Sequence, residues 1–193
     1  MSHRLRFVCF GSSRCAPDSR AAHEAYEVGR VLGKRRITVS SGGYDGAMGA
    51  VSRGAREAGG HVLGVTTAIF ASRTPNADLH HEFVEPDYPG RLATLLRQGH
   101  GFVALPGALG TASEWITAWC LATIGQLGGP LFVFEDPWRP LADAVSALEE
   151  ANPDHGALLH WVRDARDFET QLDAWRSDRD RAGTLASPGG QTA

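Results

Sequence analysis

The stretch from residue 105 to residue 114 most constrains the fold, because it joins an apolar run to an amphipathic run through a turn with two glycines. Gly101–Leu105 is typical of a buried strand, and Thr111–Ile124 has the apolar spacing of a helix. Pro106 ends the strand because its ring fixes φ. Backbone N–H groups at such a helix start lie at the positive end of the helix dipole, which suits a phosphate. The turn is therefore predicted to bind an anion.

Two further glycine turns follow predicted strands: Gly11-Ser12-Ser13 follows Leu5–Phe10, and residues 42–46 follow Ile37–Ser40. The alternation of strand-like and helix-like runs predicts parallel strands joined by right-handed crossovers. We therefore predict an α/β protein with a single-domain, Rossmann-like open parallel sheet and helices on both faces. In such a sheet the three turns share the carboxyl edge, where ligands bind near the reversal of strand order.

The length of 193 residues favours one domain with a full core. We expect residues 1–178 to form a nucleotide-binding domain. Residues 179–193 are predicted to be a disordered tail, because the end of the chain is rich in small, polar and helix-breaking residues. Residues 66–87 contain several residues that interrupt helices and strands, and they are predicted to be a loop that borders the anion site. A short strand at Glu82–Val84 is compatible with this pattern.

Charge and hydropathy argue against two classes of partner. The formal net charge of -3 gives no electrostatic reason to bind nucleic acid, and no apolar run approaches the ~20 residues of a membrane helix. The N-terminal residues lead directly into a strand pattern without a signal region, which predicts a cytoplasmic protein. Cys9, Cys15 and Cys120 are odd in number and far apart, which favours reduced thiols over disulfides or a zinc site.

Lys34 is the only lysine, and its position excludes two kinds of chemistry. A pyridoxal-phosphate enzyme needs a lysine for its Schiff base, and a nucleoside triphosphatase loop needs one for its phosphates. Lys34 falls at the end of the first predicted helix, at the sheet edge opposite the ligand-binding edge. A pyridoxal-phosphate decarboxylase is therefore not expected.

No metal or cofactor is expected. His80 and His81 are adjacent on an extended segment, so their side chains should point to opposite sides and not share one ion. The turn at residues 42–46 lacks the acidic partner of a dinucleotide fingerprint, so a mononucleotide fits better than NAD. Trp115 and Trp119 are four residues apart on a helix, which favours core or subunit contacts over base stacking.

Two residues near the turn allow alternative interpretations. Thr111 and Glu114 fit the T-x-x-E capping box, in which the glutamate only closes the first helical turn. Arg91 taken alone is most simply a surface cation paired with Glu85 or Asp87. Both residues can instead belong to a catalytic site.

Three motifs in this order resemble those of the "lonely guy" family, long described as possible lysine decarboxylases. Residues 106–114 are similar to its P-G-G-x-G-T-x-x-E signature, with Ala108 in place of the second glycine. Arg91 lies fifteen positions before Pro106 and matches the arginine that precedes this signature. Residues 41–49 are similar to the G-G-G-x-x-G-x-M-G loop of the family. The resemblance extends over roughly residues 7–135.

The resemblance implies a nucleoside 5′-monophosphate phosphoribohydrolase that cleaves the N-glycosidic bond of AMP or N6-prenyl-AMP. It implies Arg91 and Glu114 as the catalytic pair, and substrate or phosphate binding by Gly11, Ser12, Gly42, Gly43, Gly46, Met48, Pro106, Gly107, Ala108, Gly110 and Thr111. Leu92 stands where the family often has a lysine, which puts one auxiliary contact in doubt. A nucleotide or molybdenum-cofactor carrier of the same fold is the alternative.

A homodimer is the expected assembly. The stripe of Trp115, Ile116 and Trp119, together with the helix Pro89–Arg97, is richer in large apolar residues than a small monomer usually leaves exposed. The resemblance implies the same assembly, because members of the family commonly pair through helices near the signature.

Overall fold

The computed structural model describes residues 5–148 and 154–185, which alternate between strands and helices. The strands are β1 (Arg6–Phe10), β2 (Thr38–Ser41), β3 (Val62–Thr67), β4 (His81–Glu85), β5 (Gly101–Ala104), β6 (Leu131–Phe134) and β7 (Leu159–Val162). The helices are α1 (Arg20–Lys34), α2 (Ala47–Glu57), α3 (Tyr88–Gln98), α4 (Leu109–Thr123), α5 (Glu135–Leu148, irregular at Asp136), α6 (Asp154–Ala157) and α7 (Ala165–Leu185).

All seven strands lie in one parallel sheet in the order β4-β3-β2-β1-β5-β6-β7. The register places Val8 of β1 beside Ser40 of β2 and Phe102 of β5. Strands β2, β3, β5 and β6 are buried along their whole length, as expected for a parallel sheet covered on both faces. The predicted α/β open parallel sheet is confirmed, and its strand order reverses between β1 and β5.

Helices cover the two faces of the sheet and enclose the core. On one face α1 packs against α2 and α7. On the other face Trp115 of α4 packs against Trp138 of α5, with ring centroids 5.7 Å apart. Phe7, Phe102 and Phe132 of the central strands are fully buried between these layers. The core thus holds the carboxyl ends of β1 and β5 in fixed positions.

Residues 66–87 contain more regular structure than the sequence pattern indicates. A 3₁₀ turn at Ala68–Phe70 follows β3, and the short strand considered at Glu82–Val84 is present as β4 (His81–Glu85), the edge strand. Only two of the five β4 residues, Phe83 and Val84, are apolar, and both are exposed, so the strand lacks the longer apolar run that marks a buried strand. The backbone hydrogen bonds to β3 stabilise this strand, and the local sequence pattern does not indicate them.

The C-terminal helix extends beyond the predicted domain boundary at residue 178. Helix α7 continues to Leu185, so residues 179–185 are helical and do not belong to a disordered tail. Arg35 anchors this helix through hydrogen bonds to Glu169 and Asp173, which local sequence does not reveal. Residues 186–193, the rest of the expected tail, lie outside the described residues. Within the described part of the chain, no helix is long and apolar enough to cross a membrane.

Trp115 and Trp119 belong to the core, which removes one argument for a dimer. The two side chains are buried, and the indole N–H of Trp119 donates to the carbonyl of His155 at 2.9 Å. The two tryptophans of the predicted stripe therefore pack inside the chain and offer no surface to a second copy, whereas Ile116 is only partly buried.

Candidate active site

A cavity of about 360 Å³ opens at the carboxyl edge of the sheet, beside the reversal of strand order between β1 and β5. This is the position expected for a ligand site in an open α/β sheet. Its lining includes Gly11, Ser12, Ser13, Arg14, Tyr44, Met48, Phe70, Arg73, Tyr88, Arg91, Ala108, Leu109, Gly110, Thr111 and Glu114.

Arg91 is a buried residue of α3 and not a surface cation. Only 4% of it is exposed, and its Nε donates to the backbone carbonyl of Val65 at 2.7 Å. Its guanidinium carbon lies 5.9 Å and 6.0 Å from the ring centroids of Tyr44 and Tyr88. The helix that carries Arg91 is fixed by Asp87, whose carboxylate accepts from the N–H of Gly90 at 2.7 Å.

The interpretation of Arg91 as a partner of Glu85 or Asp87 is therefore wrong. Asp87 is the N-cap of α3, and Glu85 accepts a hydrogen bond from Thr94 at 2.6 Å. Both carboxylates have local partners on the outer part of the helix, whereas the arginine side chain extends inward.

Glu114 faces Arg91 from α4. Its Oε1 lies 3.4 Å from Nη1 of Arg91, and only 7% of the residue is exposed. That distance exceeds the 2.7–2.9 Å of a tight charge-assisted hydrogen bond. Burial raises the pKa of Glu114 to about 7, and the positive charge of Arg91 opposes this shift only in part. A carboxyl group with such a pKa can accept or release a proton near neutral pH.

The capping-box interpretation of Glu114 is also wrong. Helix α4 begins at Leu109 with Ala108 as its N-cap, and no side chain caps it. Thr111 lies inside the helix, so it is not the N-cap that this motif requires. The carboxylate of Glu114 is directed to Arg91 instead.

The N-terminus of α4 lies at the edge of the cavity, two residues earlier than predicted. Ala112 N donates to Ala108 O at 2.9 Å, which is the first helical hydrogen bond. The N–H groups of Leu109, Gly110 and Thr111 precede it and have no acceptor within the helix. Ser12 and Ser13 of the β1 turn line the same cavity. This end of the cavity is suited to an anion.

The predicted binding residues divide into three groups. Those that line the cavity are Gly11, Ser12, Met48, Ala108, Gly110 and Thr111. Pro106 and Gly107 line a neighbouring cavity of about 420 Å³, which shares Ser12 and Ala108 with the first. Gly42, Gly43 and Gly46 line neither cavity and support the site through close packing.

Gly46 shows how this support works. Its φ of +70° is strained for other residues, and a Cβ atom there would lie 2.4 Å from the carbonyl oxygen of Ser12. This close approach allows Ala47 N at the start of α2 to donate to Ser12 O at 2.8 Å. The turn after β2 thereby holds the turn after β1 in place.

Ala108 and Leu92, where the chain departs from the family motifs, have separate explanations. Ala108 has φ −121° and ψ −158°, an extended conformation that does not require glycine. Leu92 does not line the cavity with Arg91. It lines a groove of about 680 Å³ between α3 and α4, together with Leu96 and Leu121.

Sequence reasoning missed the aromatic and basic lining of the cavity. Tyr44 lies inside the recognised glycine loop, which was the one available signal. Phe70 and Arg73 lie in the segment without periodicity. The lining contains three arginines, namely Arg14, Arg73 and Arg91, and one carboxylate, Glu114, so it favours an anionic ligand.

The histidine segment is arranged differently from the prediction. The rings of His80 and His81 both approach His61, with centroids 4.6 Å and 5.5 Å apart. His80 Nδ1 accepts a hydrogen bond from Val62 N at 3.1 Å and is therefore occupied. Among the described residues, no group of three or more histidines, cysteines or acidic residues has a geometry for a metal ion.

The fold and the cavity together define an open-sheet α/β protein with a buried arginine–glutamate pair beside a helix N-terminus. The model of the family described as "Possible lysine decarboxylase" matches residues 48–172, a span that contains Arg91 and Glu114. The chain belongs to this family, the one that its motifs resemble.

Curated relatives carry names of nucleotide-cleaving enzymes. The chain is 32% identical over 130 residues to a cytokinin riboside 5′-monophosphate phosphoribohydrolase of Arabidopsis thaliana, with 63% of this chain and 55% of the relative covered. It is 35% identical over 100 residues to the pyrimidine/purine nucleotide 5′-monophosphate nucleosidase of Escherichia coli strain K12, with 47% of this chain and 22% of the relative covered. The chain thus spans little more than half the length of the first of these relatives.

Solved structures share the fold. The molybdenum cofactor binding protein from the phototrophic bacterium Rippkaea orientalis superposes with a TM-score of 0.72 over 90% of this chain and 98% of that chain. The sequence identity is 16%, so the similarity is one of fold alone.

Proposed function

We propose that the protein hydrolyses the N-glycosidic bond of a nucleoside 5′-monophosphate, AMP or N6-prenyl-AMP, to release the base and ribose 5-phosphate. The observation that carries the proposal is the buried Arg91–Glu114 pair, 3.4 Å apart, in a cavity whose edge is a helix N-terminus. Two relatives are named for 5′-monophosphate substrates, although the two names specify different bases. The shared 5′-monophosphate supports this substrate class.

Glu114 supplies the basic group of the proposed reaction. The C1′–N bond breaks with its electron pair leaving on the base, and the sugar passes through an oxocarbenium-like state. The ionised carboxylate stabilises this positive charge and takes a proton from water as the water oxygen bonds to C1′. The departing base takes up a proton, so the overall reaction consumes one water molecule. The pKa of about 7 places Glu114 close to its working range.

Arg91 is proposed to bind the substrate and to stabilise the negative charge of Glu114. Its Nε is held by Val65 O, whereas Nη1 is directed to the carboxylate. A guanidinium fixed in this way can donate to sugar oxygens without a change of position.

The 5′-phosphate is proposed to bind at the N-terminus of α4, with N–H groups of Leu109, Gly110 and Thr111 as donors and Ser12 on the other side. Unpaired N–H groups and the helix dipole both favour a dianion there. Ala108 is compatible with this role because a main-chain N–H donates regardless of the side chain.

The description of the family as possible lysine decarboxylases does not fit the chemistry of this chain. A pyridoxal-phosphate enzyme forms a Schiff base with lysine. Lys34, the only lysine, is exposed at the last position of α1, and the following strand β2 starts at the opposite edge of the sheet from the cavity.

A nucleotide or molybdenum-cofactor carrier is the second candidate, favoured by the structural similarity to a cofactor-binding protein. That similarity concerns the fold. A carrier has no evident need for a buried carboxyl group whose pKa is about 7, so the Arg91–Glu114 pair favours the enzyme.

We also propose a homodimer in which a second copy covers the groove between α3 and α4. The groove is lined mainly by apolar side chains, including Leu92, Leu96, Leu121 and Leu127. Arg91 and Glu114 lie on the same two helices, so pairing through this groove would fix the relative position of the catalytic residues. Activity in the cytoplasm remains a prediction from the sequence.

A substrate panel tests the proposed function. The full chain is incubated with AMP, N6-prenyl-AMP, GMP, CMP and adenosine, and free base and ribose 5-phosphate are quantified by chromatography. Equal amounts of base and ribose 5-phosphate from AMP or N6-prenyl-AMP are expected, with little product from adenosine. Tight nucleotide binding without release of any base would favour the carrier.

A further inference from the structure

Arg73 has an unusual position for a residue of an irregular loop. It follows the 3₁₀ turn, and its backbone N–H donates to Phe70 O at 2.8 Å. Its guanidinium carbon lies 4.9 Å from the ring centroid of Phe70 and 5.8 Å from that of Tyr44. Its Nη1 donates to Ser13 Oγ at 3.1 Å. The side chain therefore links the segment after β3 to the turn after β1 along the lining of the cavity.

Arg73 is exposed, and the aromatic rings beside its guanidinium limit the orientations that the side chain can adopt. The hydroxyl of Tyr44 donates to Thr67 O at 3.3 Å and accepts from Thr67 N at 3.2 Å, which fixes this ring at the end of β3. A guanidinium that stacks on aromatic faces already has restricted side-chain freedom. It therefore loses less conformational entropy when it binds a ligand.

Arg73 also brings positive charge that the protein does not neutralise. Within residues 5–148 and 154–185, no carboxylate forms an ion pair with Arg73 or Arg14. The third arginine of the lining, Arg91, faces Glu114. An excess of two positive charges beside Ser12 and Ser13 matches a phosphate monoester, which carries about −1.5 to −2 charges at pH 7.

We propose that Arg73 is a specificity-determining residue that binds the 5′-phosphate from the side opposite the N-terminus of α4. This inference rests on the proposed function for the identity of the substrate. The main-chain N–H groups of α4 hold one side of the phosphate, and the guanidinium, guided by Ser13, donates to the other. Arg73 thereby distinguishes a nucleoside 5′-monophosphate from the unphosphorylated nucleoside, without a role in bond cleavage.

Binding measurements test the inference independently of cleavage. Titration calorimetry compares ribose 5-phosphate and adenosine as ligands of the unmodified protein, Arg73→Ala and Arg73→Lys at one ionic strength. Arg73→Ala should weaken the binding of ribose 5-phosphate roughly 10- to 100-fold, which is the range for loss of a hydrogen bond to a charged group. The affinity for adenosine should not change. Arg73→Lys should retain part of the affinity, because it keeps the charge and loses the planar fork.

Arg53→Ala is the matched control. Arg53 is exposed and stacks on Tyr26 at 5.8 Å, but it lies on α2 away from the cavity lining. This variant should bind both ligands as the unmodified protein does. In steady-state assays with AMP, Arg73→Ala should raise KM by a similar factor with kcat nearly constant.

The possible outcomes separate this inference from the proposed function. If Arg73→Ala lost equal affinity for ribose 5-phosphate and adenosine, Arg73 would have a structural role. If the variant kept the parental affinity for ribose 5-phosphate, Arg73 would not belong to the phosphate site. Failure of the unmodified protein to bind ribose 5-phosphate would also overturn the inference. A selective loss in a protein that releases no base would retain the phosphate site and reject the hydrolase.

Discussion

Gly42 and Arg91 are in such close contact that no side chain at position 42 can coexist with the observed arginine. A Cβ atom on Gly42 would lie 1.7 Å from Nη2 of Arg91 and 2.6 Å from Sδ of Met48. The glycine at the end of β2 therefore creates the space through which Arg91 reaches the carboxylate of Glu114.

Substitution of Gly42 by alanine should displace Arg91 and reduce kcat/KM for AMP by at least about 100-fold, because a misplaced positioning group can cost this much. The matched control is Gly156→Ala, since a Cβ atom at Gly156 meets nothing within 4 Å. Kinetics of both variants and a crystal structure of Gly42→Ala provide the check. Parental activity in Gly42→Ala would show that the observed position of Arg91 is not required.

The pH dependence of activity should reflect Glu114. If the ionised carboxylate is the working form, kcat/KM should rise about tenfold per pH unit below pH 7 and level off above it, because the pKa of Glu114 is about 7. The profile is measured from pH 5 to pH 9 at constant ionic strength. The residual rate of Glu114→Gln should lack this inflection. Activity that is constant between pH 5.5 and pH 8, or that falls with rising pH, would exclude this role.

The same pKa predicts an effect on folding stability. Glu114 titrates at 4.5 when unperturbed and at about 7 in the folded chain, so the folded state binds more protons between these values. The stabilisation is complete below about pH 4.5 and is lost as pH rises through about 7. The shift corresponds to roughly 3 kcal/mol.

Urea denaturation of the unmodified protein and Glu114→Gln at pH 5 and pH 8.5 measures this contribution. The variant cannot ionise at this position, so the unmodified protein should lose stability relative to the variant as pH rises. The difference between the two pH values is the informative quantity, because it cancels any constant effect of the substitution. A difference that does not change with pH would contradict a raised pKa for Glu114.

The groove between α3 and α4 provides a test of assembly. Leu92→Glu places a charge in this apolar groove and should convert a dimer to a species near the chain mass of 20.7 kDa in light scattering. Val84→Glu is the control, since Val84 is 63% exposed on β4 and does not line the groove. A mass near 20.7 kDa for the unmodified protein at micromolar concentration would reject the dimer.

Local sequence determined the parts of the fold in which each element carries its own signal. The apolar runs of β1, β5 and β6 are buried in the sheet, and the glycine turns that follow β1, β2 and β5 mark the ends of these strands. Strand β4 is held by its pairing with β3, and Arg35 at the end of the first helix anchors α7 at Glu169 and Asp173. No local pattern reports such pairing.

The candidate site shows the same division. Motif resemblance identified Arg91 and Glu114, but spacing alone could not distinguish a capping glutamate from a buried one. The two interpretations of Glu114 are separated by the start of α4 at Leu109, two residues before the predicted start, because this start places Thr111 inside the helix. Arg73 could not be recognised from sequence, because its position depends on rings and a serine brought together from three loops.

Release of adenine from AMP by the unmodified protein and by Glu114→Gln tests the central claim most directly. Glutamine keeps the size of the side chain but cannot take a proton from water or carry a negative charge beside the sugar. The account predicts adenine and ribose 5-phosphate from the unmodified protein, and a rate lowered roughly 10²- to 10⁴-fold in the variant with AMP binding retained. Adenine release by Glu114→Gln at the parental rate would contradict the assignment of Glu114 as the catalytic carboxylate.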